Sequence, residues 1–317
     1  MSPGSRSDSC FAAGERLAAK ESSLRLRSRI LQGIRSFFTQ EGYLEVETPL
    51  LIPAPAPELH IDAVQAGDLF LHTSPELCMK RLLASGYEKI FQICRCFREG
   101  ERGANHLPEF TILEWYRAGA DYRSLMSECE EMLLSLSMTM GSGERLSYRN
   151  RDIDLRRPWP RLTVKDAFLQ YANMPLEVAL ATGDFDEIMV TRIEPHLGTP
   201  RPTFLCDYPA SLAALARTKR NEPESAERFE LYLAGLELAN AFSELTDAEE
   251  QRGRFERERE ERRRLGKKVY PAPDKFLEAL PFMPESAGIA LGVDRLIMVF
   301  ADRKDIDSVV AFTPEEL

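Results

Sequence analysis

Residues 227–244 read ERFELYLAGLELANAFSE, and this stretch sets acidic side chains where a globular chain ordinarily keeps apolar ones. Taking Ala234-Gly235 as a two-residue hairpin loop pairs Leu233 with Leu236 and Tyr232 with Glu237, which puts Glu230 and Glu237 on one face of an antiparallel sheet. Asn240 and Glu244 add two more polar groups to the same apolar run. A buried, unpaired carboxylate is costly or takes up a proton, so the cluster faces a metal, a cationic ligand or solvent. Strict alternation sends Glu237 and Glu244 to opposite faces, so if both serve one site the strand twists, bulges or ends near Ala239.

Upstream, Phe91 to Arg98 alternates, so Gln92, Cys94, Cys96 and Arg98 share one face of a strand. Small residues leading to an arginine leave room for a ligand there. After a loop with Gly100 and Gly103, a second strand from Glu109 to Arg117 aligns Phe110, Ile112, Glu114 and Tyr116. An aromatic platform facing Arg98 suits a purine ring and a phosphate, and an exposed, salt-bridging arginine is the competing reading. Ser74-Pro75-Glu76 opens a helix, with Glu76 read as a first-turn acid. Downstream, Gly288, Ala290 and Gly292 lead into a helix beginning near Asp294-Arg295. Small residues ahead of a helix N-terminus allow a phosphate to approach, or make a tight turn with a capping aspartate.

The remainder is plainer. Residues 1–20 lack periodicity and read as a flexible tail. Ile30, Ile34, Phe37 and Phe38 mark a helix that Gly42 stops, and Tyr43 to Pro49 reads as a strand. Residues 120–215 read as a connecting module in which Thr203 to Asp207 is a core strand and Asp207-Tyr208-Pro209 a turn. The charged run 249–268 reads as a solvated helix, with Arg254–Glu258 and Arg257–Glu261 as its pairs.

Composition narrows the classes. With 317 residues, 44% of them hydrophobic, the chain can build a substantial core. A net charge of −10 argues against a broad nucleic-acid footprint. Six cysteines without a pairing framework point to reduced thiols, and no long apolar run or signal-type N-terminus is seen; a cytoplasmic protein without membrane contact is expected.

Three segments together resemble the class II aminoacyl-tRNA synthetases, in the lysyl-tRNA synthetase branch. The helix followed by EGYLEVETP is similar to motif 1, FREGERGANHLPEFTILEWY to motif 2, and GIALGVDRLIM to motif 3. The acidic stretch looks like the segment that precedes motif 3. The resemblance implies an α+β fold, a mainly antiparallel sheet flanked by helices over residues 21–317, and a homodimer through the motif 1 helix. It also implies ATP as co-substrate with Mg²⁺, and an aminoacyl-adenylate intermediate.

The resemblance further implies roles at matching positions. Arg98 holds the α-phosphate and the substrate carboxylate, Phe110 stacks on adenine, and Arg295 binds the γ-phosphate. Glu99, Gly100, Glu101, His106, Glu237, Leu238 and Gly292 complete the ATP site. Glu230 and Glu237 hold the metal. Asn240 touches the substrate carboxylate, Glu244 and Tyr116 grip the distal ammonium of a lysine-like substrate, and Ser74, Pro75 and Glu76 meet its other amino group.

Motif 1 begins near residue 30, which leaves no space for the anticodon-binding barrel that precedes it in lysyl-tRNA synthetases. The truncated paralogues of those enzymes imply a different acceptor: not tRNA but the ε-amino group of a lysine on elongation factor P, acylated with (R)-β-lysine and more weakly with α-lysine. Ala290 supports this choice, since the family pattern has glycine there. One extra methyl in a filled pocket shifts selectivity by about 1–3 kcal/mol. Motif 2 departs from its relatives: FREG replaces FRNE, so Glu99 or Glu101 must take the adenine contact; Leu107 replaces an asparagine, and Asn105 an arginine. Two other readings stand beside this one: a synthetase half working with a separate tRNA-binding chain, and a non-catalytic regulatory paralogue.

Overall fold

The hairpin at residues 227–244 forms in the expected register: Leu233 pairs with Leu236 and Tyr232 with Glu237 around Ala234-Gly235, both at positive φ. The computed structural model describes residues 4–317, with side chains from Gly14 onward. Its main strands are β1 (Leu44–Glu45), β2 (Lys89–Phe97), β3 (Glu109–Ala118), β4 (Arg161–Thr163), β5 (Thr203–Pro209), β6 (Glu222–Leu233), β7 (Leu236–Ser243) and β8 (Ser286–Gly292). They form one sheet in the spatial order β1-β2-β3-β8-β7-β6-β5-β4, with Thr218–Lys219 paired to β6. Both outermost pairs are parallel and the inner ones antiparallel, so the α+β expectation holds.

The sheet's two faces differ as the alternation requires. Phe91, Leu113, Trp115, Ala239, Ala241, Ile289 and Leu291 point into the main core. Helices α1 (Gly4–Gln40) and α2 (Tyr122–Met140) cover that face through Ile30, Ile34, Phe38, Leu125 and Met132. The opposite face carries Glu114, Tyr116, Asn240, Ala290 and the cavity described below.

Three expectations need correction. Residues 4–20 are helical and belong to α1. Lys20 is tied to Glu316 at 2.8 Å, and Arg303 reaches Ser22 and Ser23, so the C-terminal segment anchors this end. Asp207-Tyr208-Pro209 is no turn: β5 runs on to Pro209, taking Asp207 at φ +63° as a bulge against β6. The charged run forms a helix, α3 (Ala248–Arg264), solvated as expected on one side but buried on the other. Arg254 is buried, Arg262 is fully buried, Arg254 pairs with Glu250 rather than Glu258, and Glu261 pairs with Arg264 rather than Arg257. Val164 to His196 form short helical turns packed against β5 and β6 around Phe168, Ile193 and Tyr232. Among the described residues, every cysteine is free and no helix is long and apolar enough to cross a membrane.

Candidate active site

Cross-strand register builds the floor of the cavity as transverse rows. One row runs Glu230, Asn240, Ala290, Glu114, Gln92; the next runs Arg228, Phe242, Gly288, Tyr116, Ile90. The register slips between Leu231 and Tyr232, leaving Leu238 as the extra residue of β7. This bulge lies one residue from Ala239 and turns Glu237 toward the cavity that Asn240 and Phe242 also line.

At the closed end, four ionisable side chains crowd together. Glu244 is fully buried; Lys80 Nζ, also buried, sits 2.5 Å from its Oε2 and 2.6 Å from Glu76 Oε1. Burial opposes the charge on Lys80, but Glu244 and Glu76 outweigh it, so the ammonium is held above the ordinary lysine value. Burial pushes Glu244 up to about 8 against the pull of Lys80. Oε1 of Glu244 has no hydrogen-bond partner among the described residues. It faces Gly288, where a Cβ would collide with this oxygen and with the Tyr116 ring. Glu114 accepts from Ser74 Oγ at 2.6 Å and from the Tyr116 hydroxyl at 2.8 Å, and burial holds its carboxyl far above the usual range. Ser74 and Glu76 line the cavity; Pro75 caps the helix Glu76–Ala84 behind it.

Arginines mark the other end. Arg98 lies 5.0 Å over the Phe110 ring and 3.7 Å from Glu101. Arg295 donates to the Glu237 carbonyl at 2.7 Å, to the Asn105 carbonyl, and to His106 Nε2 at 2.5 Å, so that nitrogen accepts and the ring proton sits on Nδ1. Burial and Arg295 lower the proton affinity of His106. Glu101, His106, Phe110, Leu238, Ala290, Gly292 and Arg295 all line the cavity. Glu99 and Gly100 are exposed in the turn beyond it, so Glu101 is the motif 2 glutamate that faces the ligand space.

Glu230 and Glu237 offer the hard oxygen donors that Mg²⁺ prefers. Burial, with Glu230 nearby, pushes Glu237 up to about 7, and its Arg295 partner stays 3.5 Å away, so this carboxylate is short of positive charge. Glu230 is engaged: it accepts from Arg228 at 2.6 Å, Tyr208 at 2.6 Å and Tyr232 at 2.8 Å. The pair fits a hard cation chemically, with Glu237 open to one and Glu230 available on exchange of these partners.

Sequence reasoning passed over Lys80 and Glu58 and gave Glu114, placed on the right strand face, no role, yet the fold brings all three to this site. It also left the face of Cys94 and Cys96 open for a ligand. His72 fills it, with Nε2 3.7 Å from Cys96 Sγ and donating to the Arg95 carbonyl at 2.7 Å.

Comparison with known proteins agrees with this geometry. The family model for tRNA synthetases class II (D, K and N) matches residues 13–316. A protein of Proteus mirabilis named elongation factor P–(R)-β-lysine ligase is 41% identical over 312 residues, 93% of this chain and 96% of its own. The protein of that name from Photorhabdus laumondii is 41% identical and that from Salmonella arizonae 39%, each with 93% and 96% of the two chains covered. A mainly antiparallel sheet with motifs 2 and 3 and the acidic segment lining one cavity, a family match over nearly the whole length and such relatives lead to one conclusion: the chain belongs to the class II tRNA synthetase family, in the branch of the elongation factor P–(R)-β-lysine ligases.

Proposed function

We propose that the protein activates (R)-β-lysine, and α-lysine more weakly, as an acyl-adenylate and transfers the acyl group to the ε-amino group of a lysine on elongation factor P. The observation that carries the substrate class is a charge imbalance. Glu76, Glu114 and Glu244 converge on the closed end, where Lys80 pairs with Glu76 and Glu244 alone, burial raises the proton affinity of Glu114 and Glu244 for want of positive charge, and Oε1 of Glu244 lacks a partner. A ligand bringing two ammonium groups balances such a site. The acceptor is drawn from the names of the relatives.

In this reading Glu244 and Tyr116 hold the distal ammonium, and Ser74 with Glu76 the other. Asn240 and Arg98 orient the carboxylate, whose oxygen attacks the α-phosphorus as pyrophosphate leaves. Arg98 stabilises the charge that builds there, an electrostatic role that needs no protein nucleophile. Phe110 stacks on adenine, Glu101 and His106 edge the base, and Arg295 takes the γ-phosphate. Glu237 with Glu230 would hold Mg²⁺, which would neutralise charge on the triphosphate.

The test incubates the protein with ATP and labelled (R)-β-lysine or α-lysine, offering elongation factor P or tRNA as acceptor. Label on elongation factor P, higher with (R)-β-lysine, is expected. Label on tRNA alone overturns the reading, and so does an absence of adenylation with both amino acids.

A further inference from the structure

The cavity is lined by a carboxylate to which none of the roles above applies. Glu58 sits in the loop after Pro53, Pro55 and Pro57, and it faces the same space as Glu76 and Arg98. The other carboxylates of the site each have at least one charged or hydrogen-bonding neighbour. Glu76 and Glu244 pair with Lys80, Glu101 with Arg98, Glu237 with Arg295, and Asp294 with Arg27. Glu114 accepts from Ser74 and Tyr116. Among the described residues the Glu58 carboxylate has neither an ion pair nor a side-chain hydrogen bond.

Its backbone is fixed. Arg262 Nη1 donates to the Glu58 carbonyl at 2.6 Å and to the Ile61 carbonyl at 3.1 Å, while Nη2 reaches Asp62 at 2.5 Å. Lys267 donates to the Leu59 carbonyl and to Asp62, both at 3.0 Å. Arg262 lies 4.5 Å over the Tyr270 ring. The clamp fixes the backbone from which the Glu58 side chain enters the cavity.

Acyl transfer to an amine has a requirement that hydroxyl acceptors do not share. At neutral pH a lysine side chain is an ammonium, and it has no lone pair until a proton leaves. Building on the reading of the reaction as transfer to a protein lysine, we infer that Glu58 is the general base of the transfer step. The acceptor ammonium gives one proton to the Glu58 carboxylate. The freed lone pair forms the C–N bond at the acyl carbon, and the bond from that carbon to the phosphate oxygen breaks with its electrons leaving on AMP. The second nitrogen proton departs to solvent as the amide forms.

Location and proton affinity agree with this task. The charged groups acting on Glu58 are Glu76 and Arg98 across the cavity, Glu258 on α3, and Arg228 on β6; exposed His60 neighbours it on the loop. Glu76 and Arg98 are the residues placed at the amino group and at the reacting carboxylate, and Glu58 lines the same cavity and feels the charges of both. Burial, then Glu76, pushes its carboxyl up to about 7, near the optimum for a base working at neutral pH.

The experiment separates the half-reactions in Glu58→Gln. Pyrophosphate exchange is expected to stay within about twofold of wild type, while single-turnover transfer from preformed adenylate to elongation factor P falls roughly 100-fold. Transfer to hydroxylamine, which is neutral at pH 7, is expected to persist, and the inflection near pH 7 in the wild-type transfer rate to vanish. Glu58→Asp should recover part of the transfer. Equal slowing with hydroxylamine and with the protein overturns the inference, as does unchanged transfer. A raised KM for the amino acid in exchange makes Glu58 a substrate-ammonium contact instead. If wild type forms adenylate yet labels no elongation factor P, the acceptor reading falls first and the base falls with it.

Discussion

Lys80 Nζ and Glu244 Oε2 form an ion pair 2.5 Å long with both side chains shut off from solvent. Burying a carboxylate costs more than its attraction to one ammonium returns unless further partners are present, and here Oε1 remains free. The pair thus neutralises half of an acceptor and leaves the other half for a ligand.

Lys80→Met therefore removes the cation that holds down the proton affinity of Glu244. Burial already places that carboxyl near 8, well above its value in an unfolded chain, and the variant raises it further. A carboxyl raised in the folded state binds more protons folded than unfolded, so stability falls as pH climbs from the unfolded value toward the folded one. Within that window each pH unit costs about 1.4 kcal/mol. The Tm gap between wild type and Lys80→Met should be wider at pH 9 than at pH 6. Equal gaps would remove Lys80 from the role of counter-ion.

At Gly288 the β8 backbone presses on the closed end of the cavity, since a Cβ there would strike Tyr116 and Glu244. Gly288→Ala overpacks a filled site, at a cost of about 1–3 kcal/mol. The KM for the diamino acid should rise at least roughly tenfold by the same arithmetic. ATP affinity, read by calorimetry, should hold. Parallel loss of both ligands would show that the substitution damages the sheet rather than one end of the cavity.

Arg262 serves the carbonyls of Glu58, Ile61 and Lys268 and the Asp62 carboxylate at once. A lysine offers three donors from a single point and cannot reproduce that fork. In Arg262→Lys, hydrogen exchange across residues 58–62 should accelerate at least about tenfold, equivalent to about 1.4 kcal/mol of lost local protection. Unchanged exchange would mean that Lys267 and the prolines suffice to hold the loop.

The hairpin register was readable because a positive-φ turn and period-two alternation specify it together, and the parity conflict between Glu237 and Glu244 called for a bulge that lies at Leu238. Lys80 was not readable. It follows Glu76 by four residues, a spacing that ordinarily means a surface pair, and only the fold closes Glu244 over it. Arg262 was hidden in a run of like-looking charges, and Glu58 in a proline loop without periodicity. The partners of Glu230 were obscured likewise, because Tyr208 belongs to a strand that reads as a turn. Long-range burial, which local pattern does not encode, separates these residues from their neighbours.

Ala290 stands between Asn240 and Glu114 in the floor row and lines the cavity, so in the proposed reading its methyl limits the space between these two polar side chains across β8. An amino group moved by one carbon along the substrate changes which wall it reaches. Removing the methyl opens the floor to the α-amino group, and Ala290→Gly should raise kcat/KM for α-lysine relative to (R)-β-lysine in pyrophosphate exchange by about tenfold to a hundredfold. Glycine also frees the strand backbone, so a modest loss of stability, about 0.5–1 kcal/mol, should accompany the change. An unaltered ratio together with that loss would assign the methyl to packing and move the discrimination to Glu76 and Ser74.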